Sequence, residues 1–219
     1  MKNYADKQEL ILDRIANKNF QPHNFSGYDL SGIDLKGLDL SGINFIGADL
    51  RGTNLSGSVL TRANLSGASL MDACLCEANL HEASLCEANL TNADLKQANL
   101  CASFLWRVKL IGSNLWGTSL CAADLSEADL TEAKLIEASL IEANLVRANL
   151  TKAKLCGSLL LEANLTEANL TSADLTWANL TKTNLSKANL WKTNLIYAKL
   201  RDTIMPDGTL KEPQIIISY

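Results

Sequence analysis

The chain has 219 residues, a formal net charge of −4 at neutral pH and six cysteines. This balance excludes a strongly acidic or strongly basic protein, and so few cysteines do not indicate a disulfide scaffold. No apolar run approaches the roughly 18–20 residues of a membrane span, and residues 1–6 lack the apolar core of a secretory signal. We therefore expect a cytoplasmic protein that does not contact a membrane.

The first predicted element is a short α-helix. Asp6 can cap its N-terminus, with Glu9 three residues later completing a capping box, and Asn17 ends it. Ile11 lies on its apolar edge. A repeat structure exposes the apolar end of its first turn, so we expect residues 1–19 to form a helical cap over that end.

A period of five residues organises the chain from Phe25 to Leu200. Every fifth residue there is large and apolar, thirty-six centre positions in all, and only Phe25 and Phe45 are not leucine. The residue two before each centre is usually alanine, serine or threonine, and the residue one before is usually asparagine or aspartate. An α-helix would spread these leucines around its cylinder, and a flat strand would put every second one in water. The pattern therefore predicts a chain that turns a corner once per repeat and keeps every centre inside, which is an all-β solenoid.

Runs such as Ala-Asn-Leu-Thr-Glu at residues 163–167 and Ala-Asn-Leu-Thr-Lys at residues 178–182 resemble the A(D/N)LXX unit of the pentapeptide-repeat family. The resemblance implies a right-handed quadrilateral parallel β-helix with four pentapeptides per coil, which makes about nine coils. We assign residues 20–204 to this β-helix. Residues 203–208, Thr-Ile-Met-Pro-Asp-Gly, look like the end of cyanobacterial members of the family and indicate a cyanobacterial-type protein.

The charged residues favour a coil of four repeats. The residue two after each centre is often charged, and residues twenty apart would stack on neighbouring coils, where opposite charges attract. In one such column Glu127 lies between Arg107 and Arg147. Further opposite pairs at this spacing are Arg62 with Glu82, Glu132 with Lys152, and Glu162 with Lys182. We expect the members of each pair to be neighbours.

The first coils differ from the regular repeats. Tyr28, Ile33, Leu38 and Ile43 occupy the inward position that alanine takes elsewhere, and the same repeats have glycine at a corner. We expect a wider interior there, with glycine relieving the backbone at the bends.

The tail, residues 205–219, is a predicted C-terminal capping segment. Met205 and Leu210 keep the five-residue register around a Pro-Asp-Gly turn. Residues 215–217 are three isoleucines and favour a strand, which could lie across the last coil or pair with another chain.

The middle of the chain has a candidate protein-interaction patch. Residues 103–110 put Phe104 and Trp106 on outward positions, and further apolar residues follow in columns twenty apart. Single exposed apolar groups are ordinary, but a contiguous apolar area indicates a partner protein or a second copy. The candidate residues are Phe104, Trp106, Ile111, Trp116, Ile136, Ile141, Leu159 and Leu161.

The sequence offers no catalytic, cofactor-binding or metal-binding pattern. No glycine-rich phosphate loop opens a helix, and Cys74 and Cys76 do not have the spacing of a zinc CxxC pair. His81, Cys101 and Cys121 would stack in a straight line, which cannot converge on one metal ion. We therefore expect no enzyme activity, no cofactor and no metal.

Two functions stay open. The first is a non-enzymatic scaffold or regulator, a monomer or weak homodimer, that binds another protein through its coil faces and has no direct contact with nucleic acid. The alternative is a DNA mimic that protects or inhibits DNA gyrase, as the resemblance to quinolone-resistance members implies. Such members are strongly acidic rods with a C-terminal helical segment. This chain has a net charge of only −4, alternating charges, and Pro206 and Pro213 in its tail.

Overall fold

The computed structural model describes Glu9, Ile11, Asp13 and residues 24–211. Glu9, Ile11 and Asp13 are helical. Ile11 is 5% exposed and packs in the core. The rest of the predicted cap and residues 20–23, at the predicted start of the coils, lie outside the described residues. Ile11 is thus the described point at which the N-terminal segment contacts the solenoid.

The described chain winds into coils of twenty residues. The residue before each centre forms a parallel bridge with the residue twenty positions later, beginning with Asn24 to Asn44 and ending with Asn184 to Ile204. A turn follows every centre, so each coil has four sides. Four pentapeptides therefore make one coil, and the stacked bridges form four parallel ladders along the rod.

The N–H groups of one repeat show why a polar residue precedes each leucine. Those of Asp129, Leu130 and Glu132 donate to carbonyls of neighbouring coils at 2.9, 2.7 and 2.9 Å. The Ala133 N–H closes the turn by donating to the Leu130 carbonyl at 3.0 Å. The remaining N–H, that of Thr131, donates to the Asp129 side chain at 3.1 Å. Asparagine or aspartate is favoured before the leucine because its side-chain oxygen reaches the amide two residues later.

The second turn residue of each repeat has a left-handed backbone. Its φ is +58° at Glu127 and +63° at Trp177, and glycine takes this position at Gly27 and the other early corners. This conformation costs a non-glycine residue about 1 kcal/mol or more. The prediction that glycine relieves the corners of the first coils is confirmed, because every one of these glycines has positive φ.

The core is a ladder of leucines closed by small residues. The centres from Leu30 to Leu185 are at most 2% exposed, and the alanines two positions before them are also buried. Where serine or threonine replaces alanine, its hydroxyl donates to a backbone carbonyl, as Ser58 does to Leu55 at 2.7 Å. The inward polar atoms are therefore paired, which is what burial in an apolar interior requires.

The first coils have the larger interior residues that the sequence predicts, with one correction. Ile33 and Ile43 are 2% exposed, and Leu38 packs against the core while partly buried. Tyr28, in contrast, is 41% exposed. Its ring packs edge-on against Phe25, with the ring centroids 5.5 Å apart. Tyr28 therefore borders the end of the core and does not fill it.

Charged corner residues pair across coils as predicted. Arg107 Nε lies 2.7 Å from a Glu127 carboxylate oxygen, and Arg147 Nη1 lies 4.0 Å from the other. The same column continues through Arg147 and Glu167 at 3.0 Å. The other predicted pairs also meet: Arg62 with Glu82 at 2.6 Å, Lys152 with Glu132 at 3.0 Å, and Lys182 with Glu162 at 2.9 Å.

The described C-terminal part ends in a small hairpin. Strand β1 (Thr203–Ile204) pairs antiparallel with strand β2 (Leu210–Lys211), and the Met205 N–H donates to the Thr209 carbonyl at 2.8 Å across the turn. Met205 packs partly buried against the core, but Leu210 is 57% exposed. The prediction that Leu210 keeps the inward register is therefore wrong, because the hairpin turns the chain away from the ladder. The three isoleucines of the tail lie outside the described residues.

In the described part of the chain, no helix is long and apolar enough to cross a membrane.

Candidate protein-interaction surface

The outward surface of each side is built from two residues per repeat. The residue before the centre and the residue after it lie side by side, as the 2.6 Å hydrogen bond from the Thr131 hydroxyl to the Asp129 side chain shows. We number the four sides of the rod after the centre residues of one coil. Each face also contains the residues that lie a multiple of twenty positions before or after its centre, because these stack on the same side. Face 1 contains Leu105, face 2 contains Leu110, face 3 contains Leu115 and face 4 contains Leu120.

The eight candidate residues are distributed over all four faces. Trp106 and Trp116 are ten residues apart in a coil of twenty, so they lie on opposite sides of the rod. The structure therefore does not bring the eight together into one patch. Face 1 has Phe104 and Trp106, face 2 has Ile111, face 3 has Trp116 and Ile136, and face 4 has Ile141, Leu159 and Leu161.

The aromatic members are not equally accessible. Phe104 is 53% exposed, whereas Trp106 and Trp116 are partly buried. The guanidinium of Arg107 lies 4.3 Å from the Trp106 ring centroid, and the ammonium of Lys96 lies 4.5 Å from that of Trp116. A cation over each ring is attracted by the π electrons and reduces the free apolar area of both tryptophans.

Face 4 is the side with the longest uncharged surface. Its outward positions from Asn99 to Thr181 include no charged residue, whereas each of the other three faces has at least one over the same coils. The outward residues of face 4 are Asn99, Cys101, Ser119, Cys121, Ser139, Ile141, Leu159, Leu161, Asn179 and Thr181.

From Cys101 to Leu161, the outward residues of face 4 are serine and cysteine in the earlier coils and isoleucine and leucine in the following ones. Ser119 Oγ is 3.2 Å from Cys101 Sγ, and Ser139 Oγ is 3.2 Å from Cys121 Sγ, so these small polar groups pair with one another. Above them Leu159 is 41% exposed, and Leu161 and Ile141 are partly buried. The result is an uncharged surface on which the serine and cysteine groups pair with one another.

The structure also shows exposed aromatics that the sequence reasoning missed. Trp177 and Tyr197, 64% and 67% exposed, stack with their ring centroids 4.4 Å apart. Trp191 and Ile196 are 65% and 57% exposed nearby in the chain. Trp177 and Tyr197 occupy the corner between face 3 and face 4, beside Asn179. Their signal in the sequence was an aromatic residue at the second turn position, repeated after twenty residues.

Among residues 24–211 and the three described N-terminal residues, no group of three or more His, Cys, Asp or Glu side chains could hold a metal ion. Burial, together with the Asp174 carboxylate beside it, raises the pKa of the Cys156 thiol to about 11. This thiol therefore stays protonated near neutral pH, where it is a weak nucleophile.

Comparison with family models identifies the repeat. A model described as pentapeptide repeats matches the chain repeatedly between residues 39 and 210. The matched ranges are 39–75, 68–107, 78–117, 107–140, 123–160, 143–181 and 173–210. No curated protein sequence matches the chain.

Several solved structures are similar in sequence. HetL of the cyanobacterium Nostoc sp. strain PCC 7120, a pentapeptide repeat protein involved in heterocyst differentiation regulation, is 36% identical, with 86% of this chain and 94% of HetL covered and a TM-score of 0.35. QnrB1, a plasmid-mediated fluoroquinolone resistance protein, is 19% identical over 78% of this chain and 90% of its own, with a TM-score of 0.36. A pentapeptide repeat protein of the Arabidopsis thaliana thylakoid lumen is 27% identical over 64% and 70%, with a TM-score of 0.30.

Proposed function

Because the chain belongs to the pentapeptide-repeat family, whose members form right-handed quadrilateral β-helices, we propose that it is a non-enzymatic scaffold or regulator that binds another protein. The contact surface in this proposal is face 4. The observation that carries it is the uncharged outward surface between Asn99 and Thr181 on a rod whose other faces have charged groups.

The chemistry of face 4 suits a protein partner. Charged residues are depleted at the buried centre of protein interfaces, and the rim is polar. Face 4 has this arrangement, because Glu137 and Glu142 lie at its two corners beside Ser139 and Ile141. The backbone along the rod is already paired between coils, so a partner binds through side chains and not by adding a strand.

Further features belong to the same proposal. The protein is cytoplasmic, a monomer or weak homodimer, and does not bind nucleic acid directly. The bridges between Asn24 and Ile204 each join residues twenty positions apart, which supports about nine coils. Residues 1–19 cap the first coil and the tail caps the last. HetL is described as involved in heterocyst differentiation regulation, and a regulatory role for this chain is part of the proposal.

The pattern of charge argues against the gyrase-protecting alternative. A DNA mimic needs a continuous negative surface, but the column through Glu127 alternates with arginines that pair with it. The net charge of −4 is small for a rod of this length.

The proposal is tested by a substitution on face 4 with a matched control on the opposite face. In the test variant Ile141→Gln and Leu161→Gln are combined, and in the control Thr151→Gln and Thr171→Gln occupy the same repeat position on face 2. We expect affinity capture from the native cytoplasm to lose its partner with the test variant and keep it with the control. Both variants should keep the thermal stability of the parent within about 1 kcal/mol.

Two outcomes contradict the proposal. Capture of the same partner by both variants would remove face 4 from the interface, and loss with both would indicate a general structural effect. A third variant, Phe104→Ala with Trp106→Ala, shows whether face 1 contributes. If that variant alone loses the partner, the interface is on face 1 and the assignment to face 4 is wrong.

A further inference from the structure

Two thiols lie side by side on face 3 and have no role in the proposed protein interface. Cys74 Sγ and Cys76 Sγ are 3.6 Å apart, and both residues are partly exposed. The two cysteines flank the buried Leu75 in the sequence. Both point outward, because residues two apart along an extended segment point to the same side. A disulfide bond requires the two sulfur atoms to approach to about 2.05 Å.

The backbone around the two cysteines is fixed by its neighbours. The Cys74 N–H donates to the Thr53 carbonyl at 3.0 Å and the Leu75 N–H to the Asp94 carbonyl at 2.7 Å. The Glu77 N–H donates to the next coil at 2.9 Å. The fold therefore holds the two thiols together without any contribution from a bond between them.

No other pair of thiols in the chain is arranged in this way. All six cysteines are described, and the other four are bonded to oxygen acceptors or hydroxyl groups and not to sulfur. Cys101 and Cys121, for example, are both near Ser119, whose oxygen is 3.2 and 3.8 Å from their sulfur atoms.

We propose that Cys74 and Cys76 are a redox-modified dithiol, which closes to a disulfide by exchange with a small-molecule disulfide such as oxidised glutathione. Burial, followed by the hydrogen bond to Asp94, raises the pKa of the Cys76 thiol to about 12, so Cys76 stays protonated near neutral pH. One of the two cysteines attacks the reagent first, and the other resolves the mixed disulfide.

The exchange balances in two steps. The thiolate of one cysteine attacks one sulfur of the small disulfide, forms a mixed disulfide and releases one thiolate of the reagent. The second cysteine then loses its proton to solvent and attacks the protein sulfur of the mixed disulfide, which forms the protein disulfide and releases the second thiolate. The two protein thiols are oxidised, and one reagent disulfide is reduced to two thiols.

The test uses the full chain with its four other cysteines replaced by serine, so that any change of mass belongs to this pair. In buffers of oxidised and reduced glutathione, we expect the intact mass to fall by two hydrogen atoms. Cys74→Ser and Cys76→Ser in the same background should instead stop at the mixed disulfide or stay reduced. Relative to the urea-unfolded chain, the folded chain should close its disulfide with an equilibrium constant at least about tenfold larger, or about 30 mV.

A gain-of-function variant makes the geometry itself testable. Ser84 and Cys86 occupy the same two repeat positions as the dithiol, with Ser84 Oγ 3.7 Å from Cys86 Sγ. Ser84→Cys in the natural chain should therefore create a second disulfide, which peptide mapping places between residues 84 and 86. Three results overturn the proposal: a pair that stays reduced or stops at the mixed disulfide in the serine background, equal closure in the folded and unfolded chains, or no bond between residues 84 and 86 in the Ser84→Cys variant.

Discussion

Leu159 and Leu160 are adjacent leucines that face opposite sides of the chain, so the same substitution at each separates the interior from the surface. Leu160 is 0% exposed and lies in register with Leu140 and Leu180, which are also 0% exposed. Leu159 points outward from face 4 and is 41% exposed. Alanine at either site keeps the backbone and removes the same atoms.

The expected magnitudes follow from burial. A buried Leu→Ala substitution costs about 2.7–5.0 kcal/mol, and the cost rises with the volume that stays empty. At Leu160 the coils cannot move together to fill the cavity, because the Leu160 N–H donates to the Asn179 carbonyl at 2.8 Å and this spacing repeats along the rod. We therefore expect Leu160→Ala to cost about 3–5 kcal/mol and Leu159→Ala about 1 kcal/mol or less.

Urea unfolding followed by circular dichroism measures both variants against the parent. Repeat proteins can lose cooperativity when one repeat is weakened, so the free energies are compared only where each variant has a single transition. Hydrogen exchange of the amides near residue 160 gives a local readout in either case. Equal midpoints for the two variants, or a larger loss at Leu159, would refute the inward assignment of the centre position.

Two further pairs of substitutions test the corners. Glu127→Lys places a third cation between two arginines, whereas Glu137→Lys makes the same change of charge at a corner with glycine twenty residues before and after it. In urea unfolding we expect a larger loss of stability for Glu127→Lys that shrinks in 1 M salt, and a difference independent of salt would contradict the pairing. Gly112→Ala should lower the melting temperature more than Gly57→Ala. Both glycines have positive φ, but only at Gly112 would an added Cβ meet another atom, Asn92 Oδ1 at 2.9 Å. Equal shifts of the melting temperature would mean that the Asn92 side chain moves aside at no cost.

The interior of this fold could be predicted from the sequence because a period of five permits one solution. Leucine at every fifth position can be buried only if the chain turns once per repeat, and the centres from Leu30 to Leu185 are buried as that argument requires. The errors lie where the repeat ends. Tyr28 and Leu210 have the right spacing, but no regular coil follows on their outer side in the described chain, so spacing alone did not determine burial.

The surface could be predicted less well, because outward residues are not constrained by the ladder. Spacing along the chain suggested that Phe104, Trp106 and Trp116 lie together, since they fall within thirteen residues of one another. In a four-sided coil, however, neighbours on the surface are residues twenty apart, and residues ten apart are opposite. Columns of twenty were applied to the later apolar residues, but applied to the aromatic residues as well they separate Trp116 from Trp106 and join Trp177 to Tyr197.

The Trp177 and Tyr197 pair shows what such columns can indicate about function. Both residues have positive φ, +63° and +58°, a conformation that is unfavourable for bulky side chains. Their ring stacking contributes about 0.5–1.5 kcal/mol, which is comparable to the backbone cost of one such residue. Since the rings stay 64% and 67% exposed, folding gains little from the remainder of their apolar area. This exposed aromatic pair, at the corner where face 4 begins, therefore belongs with the partner surface that we propose on that face.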